Sequence, residues 1–374
     1  MSETKQLPDR ADLPEALTWD LTKIYADDGA FEEAFQEIVA ELKQADDFKG
    51  TLSQGPAAFK EALEYVLAIS RKLEKLYVYS HLKNDQDTAN TTYQGLYAKA
   101  SNLVAQVSEA IAWFDPELLS MDDATIWGYF DQEPELAIYR HLIEKTVNNR
   151  PHVLPAEQEA LLAGAGEIFG ASGNIFSVLN NADLEFPIVE DENGEKVQLS
   201  HGVYGQLMEN TDRSVREAAF KGLYGVYEQF RNTFAQTLST NIKAHNFKAK
   251  ARHYESARQA ALSANHIPES VYDTLVAVVN EHLPLLHRYM ELRKRLLAVD
   301  TLHMYDVYTP ILGEAPIRYS YEEAVAKAKD ALKPLGEEYL AVVNEAFENR
   351  WIDVVENKGK RSGAYSSGAY DTLP

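Results

Sequence analysis

Apolar side chains recur every three or four positions through most of the N-terminal half, which is the period of an amphipathic α-helix. The first stripe contains Phe31, Phe35, Ile38 and Leu42. The pattern predicts helices after Asp28, from Pro56 to about Lys83, from Thr92 to Phe114 with a stop at Asp115-Pro116, near Ile126, and from Glu135 to Val147. These stripes are typical of surfaces that face a core.

The stretch "GAGEIFGASG", Gly164 to Gly173, superficially resembles a phosphate-binding loop. Its spacing does not match a dinucleotide fingerprint, and the chain has no Gly-Lys-Ser/Thr of the kind a phosphate loop requires. We interpret the small residues as positions that allow close helix packing, and we expect no nucleotide site.

One hairpin is predicted between residues 184 and 199. Leu184, Phe186 and Ile188 occupy alternate positions, Asn193-Gly194 supplies a tight turn, and alternation resumes after it. Helical periodicity then continues to about Ala298, with breaks near residues 210 and 254. We place the domain boundary at the hairpin, giving an N-terminal helical domain at 1–183 and a second domain at 184–374.

The final third of the chain differs from the rest in composition and periodicity. Residues 301–312 are β-branched and aromatic, and predict loop or extended structure. Ser320 and Glu323 form a capping box for a new helix, and Lys333-Pro334 interrupts it. "RWIDVV" and "RSGAYSS" flank a turn-like "ENKGK" and predict a second hairpin at 351–367. The fold class is therefore mainly α with two small hairpins.

Composition narrows the function classes. The chain of 374 residues carries 36 basic and 58 acidic side chains, a formal charge of −22, which disfavours nucleic acid as a partner. It has no cysteine, so a metal site must use His, Asp or Glu. We find no apolar run of membrane-spanning length and no signal-peptide pattern, and expect a cytoplasmic protein without a membrane partner.

No catalytic residue emerges from the residues alone. The ten histidines include no His-Glu-x-x-His, and His282 and His287 are five apart, which places them off one helix face. No Gly-x-Ser-x-Gly elbow is present. We therefore assign no metal ligand and no nucleophile.

The Gly/Tyr tail is the most informative stretch. Gly363 and Gly368 leave room for another backbone to approach, and Tyr365 and Tyr370 can pack on the side chains of an extended peptide. A strand that merely closes a sheet explains the same pattern equally well.

Four further segments are informative when taken together: "LPEALTWDLTKIY" (13–25), "ENTDRSVREAAFKGLY" (209–224), "LHMYDVYTP" (302–310) and "NKGKRSGAYSSGAY" (357–370). In this order they resemble oligoendopeptidase F, of the thimet-oligopeptidase-like (M3) zinc metallopeptidases. The resemblance implies an elongated helical fold with a deep channel, and cleavage of short peptides by zinc bound to His-Glu-x-x-His.

The resemblance assigns substrate binding to Gly363, Ala364, Tyr365 and Ser366, and more loosely to His303, Tyr305 and Tyr308. The family's zinc motif has no counterpart here, so we expect this chain alone to bind no zinc and to be inactive. We also expect exposed channel wall, and either a homodimer or a partner carrying the C-terminal catalytic segment. The alternative is a noncatalytic helical protein that binds peptides or proteins.

Overall fold

The computed structural model describes residues 7–313 and 319–372, which are largely helical. The α-helices up to the hairpin are α1 Asp28–Glu41, α2 Ala45–Phe48, α3 Pro56–Gln86, α4 Thr91–Ala110, α5 Phe114–Ser120, α6 Asp123–Gln132, α7 Arg140–Asn148, α8 Ala156–Gly164 and α9 Gly166–Val178. After it come α10 His201–Met208, α11 Arg213–Gln229, α12 Arg231–Ala251, α13 Ala257–Ser263, α14 Glu269–Leu296, α15 Tyr321–Ala331 and α16 Glu337–Glu348. The mainly α fold class is confirmed.

The first hairpin is confirmed and is shorter than predicted. Strands β1 (Ile188–Glu190) and β2 (Lys196–Gln198) pair antiparallel, with Val189 opposite Val197. Gly194 has a φ of +75°, the left-handed conformation that the tight turn requires. The capping box of α15 is also confirmed, since the Ser320 hydroxyl accepts from the Glu323 N–H at 3.2 Å.

One predicted helix boundary is wrong. Helix α4 ends at Ala110 rather than at Phe114, and Asp115-Pro116 lies in the first turn of α5 instead of stopping a helix. The first turn tolerates proline because its N–H would have no intrahelical partner there, and a carboxylate is favourable near the positive end of the helix dipole.

Two compact units make up the fold. The first contains the described parts of Met1–Asp20, Leu179–Gln236 and Asn265–Gly363. The second contains those of Leu21–Val178, Thr237–Ala264 and Ala364–Pro374. The predicted 1–183 and 184–374 domains stay a prediction about domain organisation, and each unit is described separately below.

The core of the second unit is built along α3. Its N-terminal half contributes Phe59 and Leu63 to a cluster that includes Trp113, and its C-terminal half contributes Leu76 and Tyr79 to a second cluster. The apolar stripe of α1 is confirmed at its buried members, Phe31 and Ile38, which are 0% and 1% exposed.

The first unit has a smaller core around β2, α10 and α11. It consists of Leu199, Leu207, Met208, Val215, Ala219 and Tyr305. Gly222 of α11 is needed for close approach to the hairpin, because an added Cβ would lie 2.8 Å from Leu199 Cδ1. Tyr305 belongs to the same cluster as Leu199, so the loop after α14 packs on the core beside the hairpin.

The second predicted hairpin, at 351–367, is wrong, because none of the described residues in that range forms a strand. Backbone groups near the start of this range form hydrogen bonds with the N-terminal segment instead. Asp20 N donates to Arg350 O at 2.8 Å, and Val354 N donates to Leu17 O at 2.9 Å. Gly359 and Gly363 have φ values of +73° and +107°, which a regular strand does not use. The tail therefore does not serve as a strand that closes a sheet, because the described tail residues form no strand.

The packing interpretation of the 164–173 glycines is also wrong for most of them. A Cβ added at Gly166, Gly170 or Gly173 would find no atom within 4 Å, and only Gly164 is close to a neighbour, the Glu109 carboxylate at 3.2 Å. The same helices expose Leu161 and Ile168, by 75% and 76%. These positions of α8 and α9 are open to solvent.

The stretch Ala156–Asp183, which includes these positions, is long and apolar enough by composition to cross a membrane. The structure breaks it between α8 and α9, and two of its carboxylates contact other parts of the second unit. Glu159 pairs with Arg252, and Glu167 accepts from the Asn102 amide at 3.2 Å. Ser172 is the only buried residue of α9, all of which the structure describes, and the absence of a membrane partner stays a prediction.

Helix α14, in the first unit, exposes a second apolar stripe. Val271, Leu275, Val279 and Leu286 are 47–61% exposed and repeat at helical spacing. Because continuous exposed apolar surface promotes association, we expect the chain to bind an apolar fluorescent dye and to form dimers or larger species. Sedimentation velocity and dye titration test this expectation.

The paired substitution Leu275→Glu and Leu286→Glu should lower both dye binding and association. Glu338→Ala, on α16, is a control that should change neither. A monodisperse monomer that binds no dye would contradict the expectation.

Candidate functional site

The loop that follows α14 carries three of the predicted residues. A 3₁₀ turn, Met304–Asp306, begins at His303, whose N–H donates to Asp306 Oδ2 at 2.9 Å. Tyr305 is only 6% exposed and packs edge-on against Phe220, with ring centroids 5.8 Å apart. Tyr308 is 66% exposed.

This arrangement gives the three residues different possibilities for contact. The His303 ring is exposed and stacks on Tyr305 at 5.0 Å, with 9° between the planes. His303 and Tyr308 are therefore available to a ligand, whereas the ring of Tyr305 is part of the core. Substrate binding by the three stays a prediction, and the burial of Tyr305 favours support of His303 over direct contact.

Asp306, fully buried, holds this loop in place, and sequence reasoning missed it. Arg213 donates to both of its carboxylate oxygens at 3.1 and 2.9 Å, and Arg216 donates to Oδ1 at 2.8 Å. Burial raises the pKa of Asp306, but the hydrogen bonds from the two arginines outweigh it and lower the pKa to about 2. The carboxylate is therefore ionised at neutral pH.

The arginines also fix the loop backbone. Arg216 donates to Tyr305 O at 2.9 Å, and Arg293 of α14 donates to Asp306 O and Thr309 O at 2.9 and 2.5 Å. Arg216 and Arg293 are 3% and 5% exposed, so these charge-assisted bonds are shielded from water. The signal was present in the sequence, because two arginines and Asp306 lie in the two quoted segments at 209–224 and 302–310.

The predicted tail residues are placed in an irregular segment. Gly363 ends the first unit, while Ala364, Tyr365 and Ser366 belong to the second, and all four are exposed. The Tyr365 hydroxyl donates to Asp85 Oδ2 of α3 at 2.9 Å. The exposed backbone around it remains accessible to an extended peptide, which is the contact that the resemblance implies.

A separate open groove of about 730 Å³ lies along the hairpin and the start of α11. Its lining includes Glu190, Asp191, Lys196 and Asp212, and none of the predicted site residues. Asp212 is occupied as the N-cap of α11, accepting from Ser214 N at 2.8 Å. The groove therefore does not add to the predicted site.

A metal centre does not fit the described residues. Within residues 7–313 and 319–372, no group of three or more His, Asp or Glu side chains lies close enough together to hold a metal ion. A protein zinc site needs three or four such ligands. We therefore derive no chemical step through zinc from this chain.

Comparison with known proteins finds similarity to peptidase families and to oligopeptidases. A profile described as Peptidase family M3 matches residues 206–373, and one described as Oligopeptidase F matches residues 117–186. The chain is 49% identical over 363 residues to group B oligopeptidase PepB of Streptococcus agalactiae. It is 47% identical over 377 residues to oligopeptidase PepF of Bacillus subtilis.

These relatives are longer than the chain. The alignments cover 97% and 100% of this chain but only 60% and 56% of the two relatives. A crystal structure of oligoendopeptidase-F from Enterococcus faecium superposes with a TM-score of 0.76 at 66% identity, covering 86% of this chain and 60% of that one. The chain therefore belongs to peptidase family M3 and to its oligoendopeptidase F group.

Proposed function

We propose that this chain forms the peptide-binding part of an endopeptidase that acts on short oligopeptides. The family membership carries the proposal, because the matched relatives are named oligopeptidases. The exposed tail residues, Gly363 to Ser366, support it, since their backbone N–H and C=O groups can bond to an extended substrate.

The reaction that we propose is zinc-dependent hydrolysis, with the metal bound by residues outside this chain. The described residues hold no cluster of metal ligands, and the relatives contain about 40% of length that the chain does not cover. The proposed partner is accordingly a polypeptide segment that supplies the metal-binding helix. The exposed stripe on α14 gives such a segment an apolar surface to cover.

The proposal is tested with a chimera. The part of Enterococcus faecium oligoendopeptidase-F that has no counterpart here is joined after Pro374, and zinc content and cleavage of an internally quenched octapeptide are measured. We expect about one zinc per chimera and chelator-sensitive cleavage. The 374-residue chain alone should show neither, because a tetrahedral site with an open position needs a fixed set of three protein ligands.

A chimera whose metal-binding histidines are replaced by alanine is the matched control and should fold without cleaving. Stoichiometric zinc and cleavage by the chain alone would overturn the proposal. A folded chimera that binds the octapeptide and leaves it intact would favour the noncatalytic peptide-binding alternative.

A further inference from the structure

The tail needs an anchor, because its backbone provides little of its own structure. Within the described residues 364–372 there is no strand, and a local bond from Thr372 N to Ala369 O at 3.2 Å closes only a turn. Side chains must therefore hold the segment against the rest of the second unit. Two contacts with α3 do so, one at each end of the segment.

The contact at the C-terminal end of the segment, between Arg71 and Asp371, is exposed. Arg71 donates to the two carboxylate oxygens of Asp371 at 2.6 and 2.7 Å, and its guanidinium carbon lies 5.0 Å from the centroid of the Tyr370 ring. Arg71 and Asp371 are 51% and 61% exposed, and water and salt screen such pairs strongly. This pair alone is a weak restraint on the tail.

The contact at the start of the segment, between Tyr365 and Asp85, has a buried acceptor. Asp85, in the last turn of α3, is 2% exposed, and its Oδ2 accepts from the Tyr365 hydroxyl at 2.9 Å. The same oxygen lies 3.3 Å from His81 Nε2, one helical turn earlier. A buried carboxylate is costly unless it is hydrogen-bonded, so its bonds to neighbouring donors are worth more than those of an exposed one.

Aromatic rings pack beside the contact between Tyr365 and Asp85. The Tyr365 ring lies 5.7 Å from the His81 ring, which stacks on Tyr77 at 5.9 Å with 9° between the planes. The Tyr77 hydroxyl lies 3.1 Å from that of Tyr97 on α4. The Tyr365 ring thereby contacts this cluster while remaining 47% exposed, and its neighbours Ala364 and Ser366 are exposed as well.

We propose that Asp85 is a positioning residue that holds Tyr365 and so presents the backbone at Ala364 and Ser366 to an extended peptide. This inference rests on the proposed function and changes one of its details. Sequence reasoning placed Tyr365 on the peptide, whereas the structure turns its hydroxyl toward α3. The peptide contacts that remain are made by the exposed residues on either side.

The experiment uses the 374-residue chain and two readouts. Because the chain has no cysteine, Ser367→Cys gives a unique site for a nitroxide label, whose mobile fraction reports the order of the tail. Fluorescence anisotropy of a labelled octapeptide of alternating Ala and Ser gives a peptide Kd. Tyr365→Phe keeps the ring and removes the hydroxyl, and Tyr370→Phe makes the same change at the 70% exposed tyrosine.

For Tyr365→Phe we expect the ratio of mobile to immobile label to rise about tenfold and the peptide Kd to rise by a similar factor, as for loss of one bond to a charged acceptor. Tyr370→Phe should change both by less than twofold. Asp85→Ala should match Tyr365→Phe, whereas Asp85→Asn, which keeps an acceptor oxygen, should restore most of the order and affinity.

The outcomes separate the two proposals. An unchanged label spectrum in Tyr365→Phe would overturn the anchor, and a mobile tail with an unchanged Kd would overturn the positioning role of Asp85. If the unsubstituted chain binds no octapeptide, the proposed function fails, while the label spectra still decide whether the anchor exists.

Discussion

Replacing Asp306 by alanine should lower the free energy of unfolding by roughly 3–5 kcal/mol, the usual cost of breaking a buried ion pair from one side. The variant leaves Arg216 and Arg293 buried near the loop with one carboxylate fewer. Their bonds to loop carbonyls remain, but the positive charge is no longer balanced. Urea denaturation followed by tryptophan fluorescence measures the loss.

A matched control is Asp330→Ala, which removes a carboxylate that is 73% exposed and paired with Lys333. It should leave the unfolding midpoint unchanged, because solvent screens that pair. An equal response of the two variants would show that the arginine cluster around Asp306 contributes nothing specific.

The decrease in the free energy of unfolding at acid pH gives an independent check on the same carboxylate. The folded pKa of Asp306, about 2, lies below its ordinary value of 3.8, so its ionisation stabilises the fold above pH 4. That contribution is lost as the pH falls from about 4 to about 2. Asp306→Asn should therefore show a flatter fall in stability over this range than the unsubstituted chain.

The helices were predictable because their signals are local. The stripe from Pro56 onward predicted α3 to within three residues at its C-terminus, and the Ser320 capping box gave the start of α15. Proline was the weaker signal, since Pro116 is as compatible with the first turn of a helix as with an end. Local pattern therefore gave the elements more reliably than their boundaries.

The second hairpin could not be excluded from the sequence, because its failure depends on distant residues. Arg10 donates to Asp353 Oδ2 at 2.5 Å, and the Lys360 ammonium donates to Val355 O at 2.8 Å. Burial raises the pKa of Asp353, and the bonds from Arg10 and Lys360 more than offset this and lower it. A chain segment from the N-terminus thus replaces the strand partner that pattern alone suggested.

The candidate site was predictable only in part for a similar reason. Aromatic and glycine composition identified the loop at 302–310 and the tail at 357–370. It could not show that Tyr305 is in the core or that Tyr365 bonds to Asp85, which is 280 residues away along the chain. Residues that position a site are often far from it in sequence. Composition does not indicate which distant residues contact each other.

Gly363 offers the sharpest test of the tail as a substrate-binding segment. Its φ of +107° is a conformation that side chains with a Cβ rarely adopt, and a branched residue least of all. A Cβ added there would meet no atom within 4 Å, so a larger side chain has room. Substitution should consequently change the local backbone and the approach of a peptide, without disturbing the packing of the first unit.

In the chimera with the Enterococcus faecium segment, Gly363→Val should lower kcat/KM about tenfold or more, chiefly through a higher KM, because the backbone that meets the peptide is displaced. Zinc content and the thermal midpoint should stay close to those of the parent, since no buried contact is lost. Ser367→Val adds the same side chain to the same segment outside the predicted contact residues, and should change kcat/KM less than threefold. Unaltered kinetics in Gly363→Val would exclude the tail from substrate binding, and a large fall in thermal midpoint would assign Gly363 to stability instead.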